Sequence, residues 1–243
     1  MSNKLIIALD VETAAEAREL VARLRGYAGM FKVGSQLFTA AGPEIVREIV
    51  GGGGRVFLDL KFHDIPNTVA SAAREAVRLG VSIFNVHALG GREMMRRAAE
   101  AATETAEREG LRRPSVIAVT VLTSFDASTL GDLGITFTPE AQAALLARLA
   151  STCGLDGVVA SAHEIKQVRS VAMREGFLVV TPGVRQRAVA GDDQRRVMSP
   201  AEAVRAGADY VVMGRAILSA PDPVAAARDV YEEMSGAEGA ASA

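Results

Sequence analysis

Short runs of β-branched and other apolar residues alternate along the chain with longer stretches whose apolar positions recur every three or four residues. The first kind suits strands buried on both faces, and the second suits amphipathic helices. The strand candidates are KLIIALD (4–10), MFKVGS (30–35), RVFLDL (55–60), SIFNVHA (82–88), SVIAVTVL (115–122), DGVVAS (156–161), FLVVTPG (177–183) and DYVVMG (209–214). Between them lie helical patterns such as TAAEARELVARLR, NTVASAAREAVRLG, REMMRRAAEAATETAERE, AQAALLARLAST and AHEIKQVRSVAMREG, each with charge opposite its apolar stripe. Eight strand-then-helix units predict an α/β fold, a (β/α)8 TIM barrel, with residues 1–243 forming one domain. An open doubly wound sheet is the competing architecture, disfavoured by the strand count and by the lack of an early G-x-G-x-x-G. The Ala/Gly/Ser-rich tail from about 235 is expected to fray.

Composition narrows the partners. With 243 residues and 49% apolar content, one large core is within reach. A net charge of −2 and a pI near 6.0, with no sustained basic stripe, argue against nucleic acid or an anionic membrane and leave a small ligand. Cys153 is the only cysteine, so an intrachain disulfide and a cysteine-rich metal site are both out of reach. The apolar runs are too short to span a bilayer. MSNKLIIALD lacks the long apolar region of a signal peptide, so a cytoplasmic location is expected.

In such a barrel, chemistry gathers at the C-terminal ends of the strands. Those ends carry Asp10, then Lys32 and Ser35, Asp59 and Lys61, Asn85 and His87, and Thr120, Thr123 and Ser124. Farther on come Thr181, Gly183 and Arg185, and finally Gly214 and Arg215. A single charge at a strand end is most often a solvated loop residue. Four charges of alternating sign meeting at one mouth would be costly to desolvate unless they served a ligand or each other. In FLDLKFHDIPNT (57–68), alternation along a strand puts Asp59 and Lys61 side by side, with Asp64 just beyond. A lysine held between carboxylates suits proton delivery better than Schiff-base formation. A salt-bridge network that merely closes the barrel end fits the spacing equally well.

A second signal is independent of the first. Loops after the seventh and eighth strands are the recurrent phosphate site of these barrels, and the eighth strand here delivers Gly214 and Arg215. GVRQRAVAGDDQRRVM (183–198) has no clear helical period and holds four arginines. It reads either as a lid over phosphate, with Arg185 and Gln194 as contacts, or as a solvated insert.

Taken together, ALD at the first strand, FKVG at the second, LDLKFHDIPNT at the third, VTVLTS at the fifth, TPGVR at the seventh and VMGR at the eighth resemble the orotidine 5′-phosphate decarboxylases of the bacterial type. The likeness runs through essentially the whole chain in order. D-x-K-x-x-D alone is shared with phosphosugar decarboxylases and aldolases of the same barrel group, whereas H-D-I-P-N-T, L-T-S and P-G-V-R select orotidine monophosphate. The resemblance implies that Asp10 and Lys32 bind the ribose hydroxyls, that Asp59 lies against the substrate carboxylate, and that Lys61 protonates C6. It further implies that Thr123 bonds the pyrimidine and that Arg185, Gln194, Gly214 and Arg215 hold the phosphate. Asp64 and Thr68 would reach into the neighbouring subunit's site across a homodimer. One departure is Ala160, where many relatives have Cys.

The implied reaction turns orotidine 5′-phosphate into UMP in pyrimidine biosynthesis, without a cofactor. The three histidines, His63, His87 and His163, show no metal-ligand spacing, so no metal is expected and His63 is held open as a supporting residue. Two other functions compete: a Mg2+-dependent phosphosugar decarboxylase or aldolase, and a barrel that binds UMP without catalysis.

Overall fold

The structure, a computed structural model, describes residues 3–184 and 198–241, with side chains through Ala237. Among the described residues, eight parallel strands close a barrel in sequence order. They are β1 (Leu5–Ala8), β2 (Met30–Gly34), β3 (Val56–Phe62), β4 (Ile83–His87), β5 (Ser115–Val119), β6 (Gly157–Val159), β7 (Leu178–Pro182) and β8 (Tyr210–Met213), the last pairing back onto β1. Each falls within or overlaps one of the expected strands. The surrounding helices are α1 (Ala14–Leu24), α2 (Ser35–Ala41), α3 (Glu44–Gly51), α4 (Pro66–Arg78), α5 (Gly91–Glu109) and α6 (Ala127–Asp132), followed by α7 (Pro139–Thr152), α8 (Ile165–Val171), α9 (Pro200–Ala206), α10 (Arg215–Leu218) and α11 (Pro223–Ala241).

Local chemistry sets the helix starts. The Thr13 hydroxyl accepts from the Glu16 N–H while the Glu16 carboxylate accepts from that of Thr13, a reciprocal cap that begins α1. α4 and α7 each place a proline in the first turn, where its missing N–H costs nothing. The expected helix over AHEIKQVRSVAMREG stops early, at Val171. Beyond it, the Met173 N–H donates to Ser151 Oγ and Arg174 donates to the carbonyls of Gly154 and Leu155, which draws the chain off the helical path. Residues 235–241 continue α11, since alanine favours helix and Met234 and Ala237 are buried.

Alternation along the strands sorts the core into two layers. Ile6, Met30, Phe57, Ile83, Ile117, Val180 and Val212 fill the barrel interior, while the opposite faces pack against the helices. A residue two positions farther along a strand faces the same way. The step beyond Met30, Phe57 and Ile83 is Lys32, Asp59 and Asn85. The strand period thus converts an apolar layer into a polar mouth.

One buried carboxyl lies off this axis. Glu164, after β6, is 5% exposed, and its Oε2 accepts from the Ser161 N–H at 2.9 Å. Burial, reinforced by the Glu140 charge and opposed by that hydrogen bond, pushes its carboxyl up from 4.5 to about 7. A raised folded-state pKa means that stability is fully present below about 4.5 and is lost as pH rises through about 7. Glu164→Gln keeps an acceptor for Ser161 and removes the buried charge. Thermal melts should show a gain of several degrees at pH 8 and almost none at pH 4.5. Equal shifts at both pH values would exclude the carboxylate as the cause.

Candidate active site

At the C-terminal end of the barrel lies a cavity of about 1200 Å3, lined by Asp10, Lys32, Asp59 and Lys61 and also by Gly214 and Arg215. Lys32 Nζ is 3.1 Å from Asp10 Oδ1 and 3.4 Å from Asp59 Oδ2, and Lys61 Nζ is 2.7 Å from Asp59 Oδ1. Charges therefore alternate along one continuous chain. Lys32 and Asp59 are nearly enclosed, with 12% and 13% of their side chains exposed, whereas Lys61 keeps 39% open to the cavity. Burial alone would raise the Asp59 carboxyl, but the charges of Lys32 and Lys61 and the hydrogen bonds from Lys61 and Asn85 outweigh it. Its pKa lies below the ordinary carboxylate value.

Two glycines leave room for these charges. A Cβ on Gly34 would come within 2.9 Å of Lys32 Nζ, and one on Gly214 within 3.2 Å of Asp10 Oδ2.

Lys61 is the one non-glycine residue with positive φ among the described residues, at 51°. That conformation costs about 1–2 kcal/mol for an L-residue. The β3–β4 ladder explains how it arises: pairing holds at Leu58↔Phe84 and resumes at Phe62↔Val86, so four steps of β3 lie against two of β4. Asp59 and Lys61 are neighbours, as expected, but a bulge and not simple alternation brings them together. Backbone outliers of this kind concentrate where function demands a particular aim.

The remaining candidates divide. Thr123, in the loop after β5, lines the same cavity. Asp64 and Thr68 do not line it. Both are exposed, and Asp64 Oδ1 accepts from the Ile65 N–H at 2.6 Å. Arg185, Gln194 and most of the expected lid 183–198 lie outside the described residues. His63 and His87 stack with ring centroids 5.3 Å apart. Burial, then the charges of His63 and Lys61, holds His87 below the usual imidazole range. No group of three or more His, Cys, Asp or Glu among the described residues could hold a metal ion. None of their helices is long and apolar enough to cross a membrane.

Asn85 received no role from the sequence, although it stands at a strand end, buried at 0% exposure. A buried amide two residues from an apolar barrel-filling position was the available signal.

The profile of the "Orotidine 5'-phosphate decarboxylase / HUMPS family" matches residues 3–230. Orotidine 5'-phosphate decarboxylase of Moorella thermoacetica is 56% identical over 233 residues, covering 96% of this chain and 92% of the relative. That of Syntrophotalea carbinolica is 54% identical over 234 residues, covering 96% of each. The crystal structure of the Lactobacillus acidophilus orotidine 5'-phosphate decarboxylase superposes with a TM-score of 0.83 at 32% identity, covering 96% of this chain and 99% of that one.

Proposed function

The chain belongs to the orotidine 5'-phosphate decarboxylase / HUMPS family, and from that premise we infer that it converts orotidine 5′-phosphate to UMP and CO2, with Lys61 as the proton donor. The observation that carries this reading is the Asp10–Lys32–Asp59–Lys61 chain opening into a cavity that Gly214 and Arg215 also line, Gly214 close beside Asp10. Breaking the bond between C6 and the carboxyl carbon leaves its electron pair on C6, in the ring plane, where ring conjugation gives no relief. Lys61 stabilises that charge as it develops, transfers a proton from Nζ to C6, and regains one from solvent. Because the charge grows only along the reaction path, the ammonium binds the transition state more strongly than the substrate.

Asp59 holds both lysines in place and lies where the substrate carboxylate would approach. Like-charge contact there adds a smaller, opposing influence on bound substrate. Asp10 and Lys32 serve the ribose hydroxyls, and Thr123 the pyrimidine. Gly214 and Arg215 hold the phosphate, together with Arg185 and Gln194. The exposure of Asp64 and Thr68 outside their own cavity supports a homodimer in which each chain completes its neighbour's site. The reaction as drawn asks for no cofactor, and the proposed place of work is the cytoplasm.

The test is loss of orotidine 5′-phosphate absorbance by purified protein in EDTA-treated buffer, with UMP identified as product. Turnover that persists in EDTA supports this function. Activity only with added Mg2+ and a phosphosugar would assign the chain to the other branch of the family. Tight UMP binding with no turnover would make it a binding protein.

A further inference from the structure

Asn85 has no part in the reaction as described above, yet it touches both ends of the bulge in β3. Its Oδ1 accepts from the Lys61 backbone N–H at 2.8 Å, and its Nδ2 donates to Asp59 Oδ1 at 2.7 Å. We propose that Asn85 is a positioning residue, the side-chain clasp that holds Lys61 in its left-handed backbone conformation and aims its ammonium into the cavity.

Three observations converge on this role. The β3–β4 ladder is interrupted between Leu58↔Phe84 and Phe62↔Val86, and within that interval the Lys61 N–H finds its partner in the Asn85 side chain. An unpaired N–H at this depth would be costly, so the amide fills a position that the sheet leaves empty. Next, Lys61 has φ 51°, a conformation that persists only where the surroundings impose it. Finally, the two partners allow one amide orientation. An ionised carboxylate only accepts and a backbone N–H only donates, so Asn85 must present its oxygen to Lys61 and its nitrogen to Asp59. No other uncharged side chain of this size offers both polarities from one planar group.

The same geometry fixes the relation between the two charged residues. Asp59 Oδ1 accepts from both Asn85 Nδ2 and Lys61 Nζ, while Asn85 grips the Lys61 backbone. Asp59, Asn85 and Lys61 thus form a closed loop of three hydrogen bonds. Loss of the amide frees the Lys61 backbone to return toward extended geometry and removes a donor that favours ionised Asp59.

The role is tested with Asn85→Leu, which keeps the branched heavy-atom outline at slightly larger volume and loses both bonds, and Asn85→Asp, which keeps the acceptor for Lys61 and loses the donor to Asp59. For Asn85→Leu, kcat should fall about 100-fold, the effect of displacing a reacting group by about 1 Å. UMP affinity should stay within about threefold, since the phosphate contacts are remote. In both variants the acid limb of kcat/KM should move to higher pH, because a carboxylate that loses a donor gains a proton more readily. Crystal structures should show Lys61 at negative φ in the Leu variant and at positive φ in the Asp variant.

A folded Leu variant with wild-type kcat, an unmoved acid limb or Lys61 still at positive φ overturns the proposal. If the Leu variant does not fold, an Asp variant with wild-type kcat and an unmoved limb does the same. The kinetic readouts rest on the decarboxylase reading. That reading fails if the wild-type chain leaves orotidine 5′-phosphate intact, whereas the Lys61 backbone angle judges Asn85 whatever the substrate.

Discussion

Lys61→Ala is expected to lower kcat by at least about 10^5-fold while the protein still folds and binds UMP. Two losses combine. A positioned proton donor contributes about 10^2–10^4. A unit charge about 4 Å from the developing carbanion, at an effective dielectric near 20, contributes about 4 kcal/mol, roughly another factor of 10^3. Unfolding does not account for such a loss, because the side chain is 39% exposed and its ion pair with Asp59 is partly screened. Asp59 retains Lys32 at 3.4 Å and Asn85 at 2.7 Å. The melting temperature should move by only a few degrees. Stopped or discontinuous assays over hours would quantify the residual rate, and calorimetry the UMP affinity. A variant within a hundredfold of wild type, without added amine, would remove Lys61 as the proton donor.

How much of this was legible beforehand depends on the range of the forces involved. The barrel follows from the alternation of strand-like and helix-like segments, and the facing of strand residues from a period of two, so Lys32 and Asp59 could be placed at the mouth from pattern alone. The bulge that aims Lys61 could not. The Lys61 N–H there donates to the side chain of a residue 24 positions away, and nothing in D-L-K-F marks a left-handed lysine. Asn85 was visible as a polar residue at a strand end, but its task exists only once β3 and β4 are side by side. The same limit shortened α8, where Ser151, Gly154 and Leu155 capture Met173 and Arg174 after a sequence that reads as unbroken helix. α2, α3 and α6 were missed for a different reason. Each has eight residues or fewer, too few turns for apolar periodicity to stand out.

The exposure of Asp64 leads to a second large effect, this one between chains. Asp64 follows the β3 strand that bears Lys61, yet it does not line the cavity, and its neighbour Ile65 is an apolar side chain 68% exposed. Ile65 alone marks no interface, since single exposed apolar residues are ordinary, so the sharing of Asp64 between chains is decided by mixing variants. If each chain lends Asp64 to the other's site, Lys61→Ala and Asp64→Ala proteins should each be inactive alone and active when mixed. In a hybrid dimer one site carries both lesions. The other draws Lys61 from the Asp64→Ala chain and Asp64 from the Lys61→Ala chain, and is intact. Random exchange at equal amounts makes about half the dimers hybrid, and one site in two within them is restored, so about a quarter of wild-type activity should return, as an isologous two-fold interface requires. Exchange is verified by giving the two variants different affinity tags and recovering doubly tagged dimers. If those dimers form and stay inactive, Asp64 acts within its own chain and the shared site is wrong. If activity returns to about a quarter, each cavity needs both chains, and dilution below the dimer dissociation constant should abolish turnover in the wild-type protein.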